Sequence, residues 1–186
     1  GNSALSAGTA QTTTWQGTGR IEHNGVLSDG GSGAVTLVLN GTSSTFTTRL
    51  TGVNTYTGNT QLIQGTLILG GDAPNAAPGT LGNSNLTVAV GNLGSGTNTA
   101  ILLDGAHTVG RTFNLRSGTS TFTQGVTTMG GTTSDVSAFN GQISIGTANN
   151  ANNKTLQLTA ASGGTVNVGG NITLFGGYTG IGDVVK

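Results

Sequence analysis

The sequence is dominated by short runs of β-prone residues, each of which ends at a turn rich in glycine or asparagine. Within several runs apolar and polar residues alternate, as in a strand with one buried face. Asn40-Gly41, Asp104-Gly105 and Asn140-Gly141 are typical turn sequences. No window of about 12 residues has apolar residues at i, i+3, i+4 and i+7, the pattern of an amphipathic helix. We therefore predict an all-β protein with little or no helix. The runs are residues 35–39, 60–63, 66–69, 86–90, 100–103, 112–115, 120–123, 142–145, 156–158, 165–168 and 172–174.

Low aromatic content favours a β-solenoid over a sandwich or a barrel. Only 4% of the residues are aromatic, whereas a sandwich of this length normally fills its core with several large rings. In a solenoid each thin turn stacks on the next at about 4.8 Å, so that small Thr, Asn, Val and Leu side chains form ladders. We predict a single parallel β-solenoid domain over residues 1–186, with about eight rungs of roughly 20 to 25 residues each.

The charge balance argues against several classes of partner. Six Lys and Arg and six Asp and Glu residues give a net charge of zero, so we expect neither nucleic-acid binding nor attachment to an anionic membrane. No apolar run approaches the roughly 20 residues of a membrane helix, so we expect no membrane insertion by this segment. The absence of cysteine excludes disulfides and thiolate metal sites. The chain begins without Met or an apolar leader, from which we expect a mature product or an excised piece.

Residues 50–70, which read LTGVNTYTGNTQLIQGTLILG, closely resemble the autotransporter-associated β-strand repeat, also called the passenger-associated transport repeat. That family's pattern is Leu-Thr-Gly-x-Asn-Thr-Tyr-Thr-Gly-Gly-Thr-x-Val-x-x-Gly-Thr-Leu-x-Leu-Gly, from which Asn59 departs because the family usually has glycine there. The likeness continues through residues 79–82, and we take residues 50–88 as the repeat-like segment. The resemblance implies a secreted, right-handed parallel β-helix in the passenger of a bacterial surface protein. It also implies a role in transport and stacking of the passenger, without catalytic residues.

Physically, the first half of this segment is a strand followed by a turn. Asn54 and Thr55 offer side-chain hydrogen bonds to the turn backbone. Gly58 supplies the bend, and Tyr56 is expected to cover an apolar face.

The second half is expected to turn a corner and enter another strand. Gly65 marks the corner in this interpretation. Leu62 before it, and Leu67 and Leu69 after it, would face the interior from two successive strands.

The acidic residues are too scattered for a recognisable active site. A glycosidase needs two carboxylates that converge on one bond, and none of the six acids forms such a pair in the sequence. Asp72, Asp104 and Asp135 are 32 and 31 residues apart, so a stacked carboxylate ladder that binds Ca²⁺ or a sugar is one alternative. Solvated turn residues are the interpretation we favour. The acids are Glu22, Asp29, Asp72, Asp104, Asp135 and Asp183.

The basic residues also suggest no chemistry. His23 and His107 have no metal-site spacing, and we expect both on an exposed rim. Arg111 and Arg116 flank Phe113, and we expect them at the exposed ends of one alternating strand. There is no Gly-x-Ser-x-Gly elbow and no phosphate-binding glycine motif. We predict no catalytic residue, no metal ligand and no cofactor, and hence no enzyme.

Three functional classes fit a chain of this kind. We favour an extracellular structural module: a stalk, a matrix component or a self-assembling filament subunit on a bacterial surface. The alternative is an adhesive module that binds a glycan or a protein of a host or cell surface along its lateral face. A polysaccharide-degrading β-helix is the third class, because fold does not fix function.

Self-association is the partner that the sequence favours. Open ends of a solenoid pair with other edges unless they are capped, so copies would stack end to end, or the chain would continue in a longer parent. Residues 1–14 form a possible extended N-terminal strand or arm that adds to a neighbour's edge. The possible assembly ends are Trp15, Ile181, Val184 and Val185.

Overall fold

The computed structural model describes residues 3–4, 10–31, 33–92, 96–116, 125–146, 154–174 and 183–185, the first and last of these as backbone only. The described residues contain strands and turns and no helix, which confirms the predicted all-β class. The strands are β1 Ser3–Ala4, β2 Gln11–Gly17, β3 Arg20–His23, β4 Leu27–Ser28, β5 Val35–Gly41, β6 Thr47–Leu50, β7 Thr60–Leu69, β8 Val88–Val90, β9 Thr99–Leu103, β10 Thr108–Val109, β11 Phe113–Leu115, β12 Val126–Gly131, β13 Val136–Phe139, β14 Ile143–Ile145, β15 Thr155–Thr159, β16 Thr165–Val168, β17 Ile172–Leu174 and β18 Asp183–Val185.

Two long stacks of parallel strands form two sides of the molecule. The first stack runs β2, β5, the start of β7, β8, β11, β14 and β17. The second runs β3, β6, the end of β7, β9, β12, β15 and β18. In each stack five of the described strands lie between two neighbours, which corresponds to a parallel β-solenoid of about five turns. The predicted solenoid is therefore confirmed, whereas the predicted eight rungs are not.

A third side closes each turn with less regular structure. Here β10, β13 and β16 form one parallel stack, and β1 pairs with β4. Between these two groups, the backbone N–H groups of Thr55 and Tyr56 donate to the carbonyl of Leu27. Ala73 forms an isolated parallel bridge with Val109. Successive turns thus remain hydrogen-bonded on this side even where no strand forms.

The core consists of side-chain ladders inside the two long stacks. In β5 every second residue is buried, as the alternation of the sequence predicts. Because the pairing is parallel, equivalent inner positions, most of them apolar, stack turn upon turn, and each buried Leu or Ile stabilises the fold by about 1.5–3 kcal/mol. One ladder in the first stack is Trp15, Leu39, Leu62, Val90, Leu115, Ile145 and Leu174. One ladder in the second is Ile21, Thr48, Leu67, Ile101, Met129 and Leu158.

β7 passes directly from the first stack into the second. The bend falls at Gly65, whose φ is +103°. A Cβ atom there would lie 2.5 Å from the carbonyl oxygen of Phe46, so both the backbone angle and the space require glycine. In the preceding turn the same corner is made by a loop, residues 42–46, between β5 and β6. The corner of the β7 turn is therefore the tighter of the two.

Candidate functional site

Asn54 holds three successive turns together. Its side chain is fully buried. Oδ1 accepts a hydrogen bond from the N–H of Leu27 at 2.8 Å, and Nδ2 donates to the carbonyl of Thr80 at 2.9 Å. The Asn54 backbone also exchanges two hydrogen bonds with Gly79. Since this part of the chain has no strand ladder, the asparagine supplies the bonds that buried backbone groups require.

The neighbouring motif residues have different surroundings. Thr55 is exposed and contributes its backbone N–H, which donates to Leu27. Tyr56 is fully buried, and its hydroxyl lies 2.7 Å from Oγ1 of Thr60. Burial raises the pKa of Tyr56 to about 12. Gly58 is buried against the preceding turn, where a Cβ would lie 2.1 Å from the Val35 carbonyl oxygen.

The interior positions of the second half of the motif agree with the strand alternation. Leu62, Leu67 and Leu69 are fully buried, and each lies on an inner face of β7. The motif is therefore a packing and hydrogen-bonding unit, in which Asn54 bonds to backbone of the adjacent turns and Tyr56 bonds to the side chain of Thr60.

Asp29, one of the six scattered acids of the sequence, is a second residue that joins successive turns. Its carboxylate accepts hydrogen bonds from the N–H of Val35 at 2.8 Å and from Oγ1 of Thr57 at 2.6 Å. Desolvation alone would raise the pKa of Asp29, but the bonds from Thr57 and Val35 outweigh it and hold the pKa below its ordinary value.

Arg111 contradicts the prediction of an exposed strand end. It is fully buried, and its guanidinium donates to the carbonyls of Leu81 at 2.7 Å and Leu86 at 2.6 Å. Those carbonyls belong to an irregular segment of the preceding turn that has no strand partner. Burial lowers the pKa of Arg111, and Nε has no hydrogen-bond partner. Arg116 is half-buried, and burial also lowers its pKa.

Lys154 is a buried cation that the sequence did not single out. Its exposed fraction is only 2%, and burial lowers its pKa to about 8. It immediately precedes β15, a position where a β-strand pattern gives no information about the side chain. Because lysine is rarely buried, the charge of Lys154 alone would predict an exposed side chain.

The three aspartates of the proposed carboxylate ladder lie in separate surroundings. Asp104 pairs with Arg49 of the second stack at 2.8 Å. Asp72 accepts from the N–H of Thr108 and lies 3.8 Å from Nδ1 of His107. Asp135 is exposed. Within the described part of the chain, no three His, Cys, Asp or Glu side chains form a group that could hold a metal ion.

Arg49 joins two acids on the outer face of the second stack. It pairs with Glu22 of the preceding turn at 2.9 Å and with Asp104 on its other side. Arg20 pairs with Glu22 at 3.1 Å. The hydrogen bond to Asp104 raises the pKa of Arg49. These side chains are 24–57% exposed, so each pair is worth about 1 kcal/mol or less.

His23 is half-buried, which corrects the expected rim position. It packs against Trp15, with 5.4 Å between the ring centroids, and both ring nitrogens are buried without a hydrogen-bond partner. Desolvation lowers the pKa of His23. His107 is also half-buried, with 26% of its side chain exposed.

The possible assembly residues occupy the first and last described levels of the stacks. Trp15 of β2 is partly buried against the core. Val184 and Val185 pair in backbone register with Leu156 and Gln157. Ile181 lies outside the described residues. The N-terminal segment 1–14 includes β1 and the start of β2, with residues 1–2 and 5–9 outside the described part.

A shallow groove of about 350 Å³ crosses the corner between the two long stacks. The described residues of its lining are glycine, alanine, valine and residues with hydroxyl or amide side chains, and none of these is ionisable. The lining residues are Ser44, Gly65, Thr66, Asn98, Thr99, Ala100, Val126, Thr128 and Gln157.

No protein-family model, no curated protein and no solved structure matches this chain. In the part of the chain that the structure describes, there is no helix of the length and apolar character needed to span a membrane. The functional interpretation therefore rests on the residues and their geometry.

Proposed function

We propose that this chain is an extracellular structural module, a β-solenoid that serves as a stalk, matrix component or filament subunit at a bacterial surface. The observation that carries the proposal is the bonding of Asn54 to backbone groups of the turns before and after its own. A side chain in this arrangement strengthens the rod along its axis. It leaves no polar atom of its amide directed at a substrate.

Other contacts support a mechanical role. Asp29 bonds the first described turn to the second through Thr57 and Val35. Arg111 bonds the turn of β11 to the irregular segment before β8. Each contact crosses from one turn to the next, so each opposes separation of turns when the rod is pulled.

Location and winding are further parts of the proposal. Secretion and a bacterial surface are what the resemblance of residues 50–70 to the autotransporter-associated repeat implies. We infer a right-handed coil because crossovers between parallel strands of one sheet are right-handed in about 98% of cases.

A structural rod must continue beyond one module. Trp15 and Leu174 occupy the first and last described positions of one inner ladder, and Leu174 is 45% exposed. Either a second copy stacked end to end or further turns of a longer parent would cover this apolar surface.

Single-molecule force spectroscopy tests the proposal. The chain is held between handles at its two ends and stretched, and we expect it to open in several steps because turns separate one after another. Asn54→Ala should lower the force at which the turn that contains Asn54 separates from its neighbours. Asn167→Ala, at an exposed position on β16, is the matched control and should leave the force unchanged. Equal forces for the two variants, or a single low-force event for the native chain, would overturn the mechanical role.

A further inference from the structure

The groove at the corner of the two long stacks originates in the shape of β7. The preceding turn makes this corner with the loop 42–46, which carries the exposed Ser44. β7 instead bends at Gly65 without any loop. The tighter corner leaves a notch whose floor includes Gly65 and Ala100. The groove therefore lies where the described corners change from a loop to a direct bend.

Each amide side chain on the notch is hydrogen-bonded to a residue of β12. Oδ1 of Asn98 accepts a hydrogen bond from the N–H of Val126 at 2.9 Å. Oε1 of Gln157 accepts from Oγ1 of Thr128 at 3.2 Å. Because the oxygen of each amide is already bonded to the protein, the NH₂ group is the part of each amide that remains to donate to a ligand. The hydroxyls of Ser44 and Thr66 add groups that both donate and accept.

This chemistry selects the class of ligand. An anionic ligand would require a cation and a cationic ligand would require a carboxylate, and the described lining residues include neither. A peptide backbone brings one N–H donor for nearly every carbonyl acceptor, whereas the two amides of the notch present donors and only its hydroxyls can also accept, so the lining favours a ligand richer in acceptors. A neutral sugar chain is rich in hydroxyl, ring and glycosidic oxygens, which accept from such donors.

The spacing of the donors suits an extended chain that lies along the solenoid axis. Asn98 precedes β9 and Gln157 lies on β15, two levels further along the second stack. At about 4.8 Å per level the two NH₂ groups are about 10 Å apart along the axis. The groove from Ser44 to Gln157 spans four level spacings, or about 20 Å, room for several sugar rings.

We propose that this groove is a binding site for a neutral, linear polysaccharide. The site is distinct from the turn-bridging contacts on which the structural role rests. No aromatic ring is among the described residues that line the groove, so binding is expected to be weak for one copy and to gain strength where many copies are displayed together.

The test is isothermal titration of the intact chain with neutral hexasaccharides of glucose, xylose and mannose, and with an oligogalacturonate as the anionic probe. We expect saturable binding of at least one neutral hexasaccharide and none of the oligogalacturonate. Backbone amide NMR shifts on binding should be confined to residues around Asn98, Thr128 and Gln157.

A double variant removes only the donors. Asn98→Asp with Gln157→Glu keeps the oxygens that bind Val126 and Thr128 and replaces each NH₂ group, and should weaken binding by at least about tenfold. The matched control is Asn167→Asp with Gln16→Glu at exposed positions elsewhere, and should bind within about twofold of the native chain. Failure of every neutral hexasaccharide to bind, equal binding by the two double variants, or preference for the anionic probe would overturn the proposal. The force measurement on Asn54→Ala is independent of each of these results.

Discussion

The carboxylate of Asp29 and the hydroxyl of Thr57, 28 residues apart in the chain, are joined by a 2.6 Å hydrogen bond. The N–H of Thr57 donates to the same carboxylate at 3.0 Å, and so does the N–H of Val35 at 2.8 Å. Hydrogen bonds to an ionised acceptor are roughly twice as strong as those between neutral groups. The Asp29 side chain therefore holds the backbone of the next turn at two places, Val35 and Thr57.

Replacement of Asp29 by alanine should destabilise the fold. Asp29→Ala leaves the N–H groups of Val35 and Thr57 without their acceptor, and we expect the free energy of unfolding to fall by about 2 kcal/mol. Urea denaturation followed by circular dichroism measures this change. Asp135→Ala removes an exposed aspartate and should stay within about 0.5 kcal/mol of the native chain. A similar loss for both variants would contradict the role of Asp29.

The acid dependence of stability follows from the same residue. The pKa of Asp29 in the folded chain lies below its ordinary value of 3.8. Its contribution is therefore fully present above the unfolded pKa and is lost as the pH falls through the lower, folded pKa. Asp29→Ala should show a smaller decline in melting temperature below about pH 4 than the native chain does.

The fold class followed from the sequence because alternation and turn residues are local signals. They gave the buried positions of Leu62 and Leu67 and the absence of helix in the described residues. The number of turns did not follow, because the length of a turn depends on loops that carry no periodic signal. Gln11 pairs with Val35, 24 residues on, whereas Phe113 pairs with Ile143, 30 residues on.

The residues that bond across turns were harder to predict than the core. Arg111 lies two positions before the buried Phe113, so strict alternation would have placed it inside. Its charge argued for the opposite face, and the carbonyls that make burial possible lie 25 and 30 residues earlier in the chain. His23 was misplaced for a related reason, since only the three-dimensional stack brings Trp15 onto it. The groove depends on how the corner of one turn differs from the corner of the next. The residue pattern within a single turn does not show this difference.

Replacement of Arg111 by methionine tests its bonds to the irregular segment. Arg111→Met keeps most of the side-chain length but leaves the carbonyls of Leu81 and Leu86 without a donor. We expect a loss of about 2 kcal/mol, because the two lost charge-assisted bonds are partly offset by removal of a buried charge. Amide hydrogen exchange should accelerate in residues 81–87. Arg116→Met is the control at a half-buried position, and equal exchange in that segment for both variants would rule out the proposed contact.

His23 should make the fold sensitive to mild acid. Its pKa in the folded chain lies below the ordinary value of 6.5, because protonation would place a charge where both ring nitrogens are buried and unpaired. Its neutral form is therefore stabilised above the unfolded pKa, and that stability is lost as the pH falls from about 6.5 toward the folded pKa. The melting temperature of the native chain should fall by a few degrees between pH 7 and pH 5. His23→Phe keeps a ring against Trp15 and should remove most of this fall in melting temperature. The control, His107→Phe, should retain the fall. If His23→Phe shows a fall of the same size as the native chain, another group is responsible.

Leu67 and Ile68 are neighbours on β7 with opposite surroundings, and they provide a direct test of the strand register. Leu67 is fully buried in the inner ladder between Thr48 and Ile101, whereas Ile68 lies on the outer face and is half-buried. Leu67→Ala removes buried methyl groups and leaves a cavity between adjacent turns, so the free energy of unfolding should fall by about 2–5 kcal/mol. Ile68→Ala should cost less than about 1.5 kcal/mol, because its outer face already contacts solvent. Urea denaturation of the two variants measures the difference. A register shifted by one residue would exchange the two faces of the strand and reverse the order of the losses.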